Sequence, residues 1–206
     1  MPGLIDLHVH GYHLATPLGV HADHYCLGRG VTTAVDAGSS GCDTFPGFRA
    51  FAAERFRTRV LAFLNISRTG LSFAGPGGVD MPGELETLKL VSVSDCVNCV
   101  SSNRDLLVGV KIRLSDTIAD SGQNEPESYR RALEAAAGAG VNINGECDQS
   151  HIDAMHRACC PAGRLRATRE VLAPQYRRLD FGSRLGVQVG PLRLTTAPAR
   201  GRTAAR

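Results

Sequence analysis

Four short apolar runs, each followed by a segment able to form a helix or long loop, limit this chain to a parallel α/β architecture. The runs are Leu4–His10, Val31–Asp36, Val60–Ile66 and Leu106–Leu114. The first, rich in Leu, Ile and Val and ended by Gly11, reads as a buried strand. Helical periodicity fits Leu18–Gly30, Phe45–Phe56 and Glu84–Ser102, and is clearest over Pro126–Ala139, which ends at Gly138 or Gly140. Arg68–Gly83, rich in Gly and Pro, reads as a long loop. Pattern alone does not separate a barrel from an open sheet. No fifth strand is expected, because 142–148 (Asn-Ile-Asn-Gly-Glu-Cys-Asp) holds no apolar run.

His8 and His10 stand at the end of the first strand. Side chains alternate along a strand, so the two imidazoles project from one face, with Cα atoms roughly 6–7 Å apart, near enough to share one metal ion. Asp6, one step back, is expected on the same face, where it could orient a ligand histidine or act as a weak extra ligand. Lys111 ends the fourth strand among apolar residues, where a bare ammonium is costly. Asp36, Asn65 and Ser67 close their strands and are candidate substrate contacts.

The run Gly3-Leu-Ile-Asp-Leu-His8-Val-His10 resembles the first-strand signature of the amidohydrolase superfamily. The stretches 30–39, 59–67 and 103–113 resemble its dihydroorotase-like deacetylase branch. The likeness extends from Pro2 to about Val141. It implies the first four β/α units of a (β/α)8 TIM-type barrel, whose full form has around 250 residues. The small flanking β-domain and the second half of the barrel are expected to be missing. It also implies a metal-dependent hydrolase of amide, cyclic amide or acetyl ester bonds acting on a small molecule. Zinc, as one or two divalent ions, would be held by His8, His10 and a carboxylated Lys111. The family's further ligand histidines and its general-base aspartate match no position, so no catalytic residue is assigned. The competing reading is an inactive truncated isoform, or an interaction module, that lacks the base.

Charge divides the chain. Residues 1–160 hold 13 Arg and Lys against 18 acids, whereas residues 161–206 hold 10 Arg against Glu170 and Asp180. We therefore expect a partial barrel over residues 1–141 and a divergent, basic, disordered tail over 142–206. An altered reading frame through GC-rich DNA would produce the same composition. The tail carries no nucleic-acid-binding motif. His151, Asp153 and His156 in the tail fit no strand-end pattern. His13, His21 and His24 are read as surface or packing groups. Cys96-x-x-Cys99 lacks the second pair of a zinc ribbon, Cys159-Cys160 is an adjacent pair, and Gly75-Pro-Gly-Gly78 is not followed by the lysine of a phosphate loop. Seven cysteines without a leader segment, and no run of 18 apolar residues, favour reduced thiols in the cytoplasm and no membrane span.

Overall fold

The computed structural model describes residues 2–72 and 82–146. The expectations placed on 73–81 and 147–206, including the glycine-rich stretch, His151, Asp153, His156 and the basic tail, lie outside the described residues. Five parallel strands form one curled sheet in the order β1-β2-β3-β4-β5. They are β1 (Leu4–Val9), β2 (Val31–Ala37), β3 (Arg59–Asn65), β4 (Leu107–Arg113) and β5 (Asn142–Glu146). Spatial order equals chain order, as in a barrel that is built one β/α unit at a time. The architecture is a partial TIM-type α/β barrel.

The fifth strand corrects the four-strand reading. β5 pairs with β4 from Gly109↔Asn142 to Arg113↔Glu146. Parallel pairing is made by backbone groups, so β5 needs no apolar run. Ile143 supplies its one strand residue in the apolar core. β1 is corrected in the other direction. It pairs only with β2, and Leu4, Ile5 and Leu7 are 52%, 45% and 57% exposed. The expected buried strand is an edge strand among the described residues, which is why its apolar side chains stay wet.

The helices are shorter than periodicity implied. In place of a helix over 18–30 stand α1 (Ala22–Tyr25) and a 3₁₀ turn over Leu27–Arg29, closed by Gly30 at φ 79°. α2 (Phe45–Phe48) passes into a π-helical stretch over Arg49–Ala53. Glu84–Ser102 holds a 3₁₀ turn over Leu88–Leu90 and the shorter helix α3 (Val93–Ser102), which Ser92 caps, its hydroxyl accepting the Asp95 N–H. Glu84, at the start of that stretch, is instead buried against Arg113. α4 (Glu125–Ala139) has Pro126 in its first turn and ends at Gly140, φ 63°, much as the sequence indicated.

The helices cover one face of the sheet. Leu64 and Ile66 around β3, Val110 and Ile112 of β4 and Ile143 of β5 join Phe45, Phe48, Val100 and Ala132 in one apolar core. Val9 of β1 packs against the same core. Strand alternation then sends His8, His10, Asn65, Lys111 and Asn144 to the opposite face.

Candidate metal and hydrolase site

His8 and His10 flank Val9, whose side chain turns to the core, so both imidazoles face the other side. Their ring centroids are 5.4 Å apart and the rings stand nearly perpendicular. That spacing lets one nitrogen from each reach a common ion at about 2.0–2.1 Å. Asp6 makes a local bond. The pairing of β1 with β2 shifts register between Asp6 and Val9, and the Asp6 carboxylate turns back to accept the His8 backbone N–H at 3.0 Å. Asp6 shapes the bulge that carries the histidines.

Lys111 is not the last residue of β4, since Ile112 and Arg113 continue the strand. It lies level with Asn65 on β3 and Asn144 on β5, and its side chain is fully buried. Its Nζ donates to Asn144 Oδ1 at 2.9 Å. The aliphatic stem runs over Gly38, just past the end of β2. A Cβ at Gly38 would meet Lys111 Cγ at 2.4 Å, and Gly38 sits at φ 85°. Both conditions demand glycine there. Two residues on, Arg113 makes a bidentate pair with the buried Glu84, at 2.6 and 2.7 Å, which ties the segment before α3 to the end of β4.

Asp36 anchors the β1–β2 end of the same rim. Its carboxylate accepts the N–H of Gly11 at 2.6 Å and of Ser39 at 2.7 Å. Burial pushes its carboxyl up to about 6, opposed by hydrogen bonds from the Ser39 and Gly11 backbone, the Ser39 hydroxyl and the Gly38 backbone. Ser39 in turn places its Oγ 3.1 Å from His10 Nδ1. Asn65 is occupied locally, donating to the Gly38 carbonyl and accepting the Ser67 N–H. Sequence reasoning missed Ser39 and Asn144. Ser39 follows Asp36 at the spacing of a local side-chain-to-backbone turn, which was a readable signal. Asn144 had none, because its role exists only across the β4–β5 pairing.

The remaining candidates are packing groups. His21 stacks on His24 at 4.1 Å and tilts against Phe56 at 4.7 Å. Cys96 and Cys99 lie on α3 as free thiols, and burial pushes them up to about 12 and about 11, so both are neutral near pH 7. Among the described residues, no cluster of three or more His, Cys, Asp or Glu can hold a metal ion. No helix of the described residues is long and apolar enough to cross a membrane.

A deacetylase of Brucella anthropi is 37% identical over 120 residues, covering 58% of this chain and 29% of the relative. A deacetylase of Agrobacterium fabrum is 38% identical over 120 residues, covering 58% and 28%. The crystal structure of a dihydroorotase superposes with a TM-score of 0.64 at 32% identity, covering 71% of this chain and 38% of that one. These likenesses support an amidohydrolase-superfamily, dihydroorotase-like segment that covers part of that fold. The crystal structure of an adenine deaminase also superposes on this chain with a TM-score of 0.64, at 25% identity, covering 76% and 40%. No family model matches. The matched stretch thus spans under a third of each of these curated relatives, which are hydrolases of the amidohydrolase superfamily.

Proposed function

We propose that this chain carries the first metal-binding strands of a hydrolase acting on carbon–nitrogen or acetyl ester bonds of a small molecule. The observation that supports this reading most is the pair His8 and His10, 5.4 Å apart by ring centroid, on the same sheet face as the buried Lys111. The donor chemistry fits a divalent ion such as zinc: two imidazoles at the end of the edge strand and, on the same sheet face, a lysine whose stem lies against Gly38. His8 and His10 would hold the ion, and Lys111 would join them after its Nζ, as the free amine, adds to carbon dioxide and releases a proton, which leaves a two-oxygen anion. When bound, the ion supplies Lewis acidity toward a carbonyl and toward water.

The chain's own groups prepare that site. Asp6 fixes the bulge from which both imidazoles project. Gly38 leaves room for the lysine stem, and Asn144 holds Nζ level with the strand end.

A second reading is binding without turnover. It is favoured by Asn144, an amide standing beside Lys111 where a further ligand or base would be useful. One experiment separates the two. The chain is titrated with zinc in bicarbonate buffer, and hydrolysis of acetyl esters, acetyl amides and cyclic amides is followed alongside. We expect weak, easily chelated zinc, lost on His8→Ala and on His10→Ala, with turnover at least 10²-fold below a complete enzyme of this type, the contribution of a missing general base. Zinc binding unchanged by both replacements would refute the metal assignment. Fast turnover abolished by His8→Ala would refute the binding-only reading.

A further inference from the structure

Three histidines that the metal reading leaves unused meet between β1 and α1. The His21 ring stacks on His24, with centroids 4.1 Å apart and 15° between planes, stands edge-on to His13 at 5.7 Å, and leans on Phe56 at 4.7 Å. His13 and His24 are exposed and His21 is half-buried, with its Nδ1 buried and without a hydrogen-bond partner. A neutral imidazole carries one ring proton, so Nδ1 can stand there as a bare lone pair. Protonated, both nitrogens carry hydrogen. Nδ1–H would then be a buried donor on a cation, with no acceptor in the packed arrangement. The surrounding groups do not relieve that cost. His13 points its own Nδ1 at the Gly19 carbonyl, 3.4 Å away. His24, across the stack, is a second base of the class that gains charge in mild acid. Asp23 attracts a cation, but its carboxylate already accepts the Thr58 N–H at 2.7 Å, the Thr58 hydroxyl at 2.9 Å and the Arg57 N–H at 3.0 Å. On the remaining side Phe56 is apolar, and the guanidinium of its neighbour Arg55 donates to the Ala50 carbonyl at 3.2 Å.

We propose that His21 is a proton-operated latch: neutral, it packs the start of α1 onto the segment before β3, and protonated, it leaves the stack and releases the β1–α1 connection. Leaving the stack gives Nδ1–H water as an acceptor and separates its charge from His13 and His24. The open form therefore takes up protons that the closed form excludes, so the closed form loses stability as pH falls. The release reaches the backbone on both sides of the ring. Val20, the residue before His21, donates its N–H to the His10 carbonyl at 2.8 Å, and Cys26 donates to the Ala22 carbonyl at 2.7 Å to close α1. Acid opening would thus free the connection that follows the end of β1 while the β1–β2 pairing stays in place. The latch belongs to the fold of this chain and does not depend on the metal reading.

The test follows the opening residue by residue. Amide hydrogen exchange of the full chain is recorded by NMR with a chelator present and corrected for intrinsic exchange rates. Between about pH 7.5 and about pH 5.5, the range in which histidines charge, protection of the Val20 and Cys26 amides should fall at least about 10-fold. Amides in the middle of α4 should keep theirs. In the same titration the loss should follow the ring signals of His21. His21→Phe keeps a flat ring for the stack and has no proton to gain, so protection should be the same at both pH values. His24→Phe leaves His21 Nδ1 buried and should retain a pH-dependent loss. Amide fingerprint spectra confirm that each variant is folded, and the wild-type titration with His24→Phe carries the test if His21→Phe is not. Protection that is flat across the range in the wild type overturns the latch. So does a loss that persists in folded His21→Phe, that disappears in His24→Phe, or that follows the His13 or His24 ring instead of His21.

Discussion

Replacing Glu84 by glutamine removes the charge from a carboxylate whose side chain is 0% exposed, opposite an Arg113 that is 18% exposed. Both carboxylate oxygens are used, by Arg113 Nε at 2.6 Å and Nη2 at 2.7 Å. Glutamine keeps one acceptor and turns an NH₂ toward the guanidinium, so one of the two bonds is lost together with the carboxylate charge. Breaking a buried pair costs about 3–5 kcal/mol. The partial exposure of Arg113 lets water relieve some of that, which puts the expectation near the lower end, about 3 kcal/mol. For a domain of this size that is a fall in melting temperature of about 10 °C. Glu134 is the matched control. It pairs with Arg130 on α4 at 2.9 Å, but the two side chains are 55% and 52% exposed, so Glu134→Gln should cost at most about 0.5 kcal/mol. Urea unfolding with a common slope gives both differences. Distances alone would rank the two pairs nearly equal; burial separates them. If Glu84→Gln costs no more than Glu134→Gln, the claim that this pair holds the pre-α3 segment on β4 is wrong.

Two further outcomes follow from the same rim. Gly38→Ala adds a Cβ at positive φ and 2.4 Å from Lys111 Cγ, whereas Gly140→Ala adds one at positive φ with nothing within 4 Å. The first should cost about 2–4 kcal/mol and the second about 1 kcal/mol, and equal losses in thermal melts would show that the lysine stem does not fill the space over Gly38. Asp36 has its folded value raised from 3.8 to about 6, so between those values the native state binds more protons than the unfolded chain, and stability falls as pH rises through that window. Asp36→Asn should flatten the dependence of unfolding free energy on pH between about 4 and 6, and an unchanged slope would place the titration elsewhere.

Much of the framework was legible along the chain. Strand runs punctuated by glycine, the Pro126 start and Gly140 end of α4, and the two-residue spacing of His8 and His10 are local properties, set by backbone sterics and side-chain alternation. Three features were decided only in three dimensions. β5 exists because β4 offers it a row of backbone partners, and those groups are the same whatever the side chains, so 142–146 carried no apolar signature. The start of α3 is set by the Ser92 cap, and Glu84, well before it, is held instead by Arg113 of β4. The rim joins His10 to Ser39 and Lys111 to Asn144 across separations of 29 and 33 residues. Such pairs depend on which strands the fold sets side by side. The chain therefore specified its first four strands and the pairing of His8 with His10 by itself, while the tertiary structure alone decided the fifth strand and the hydrogen-bond partners of the rim.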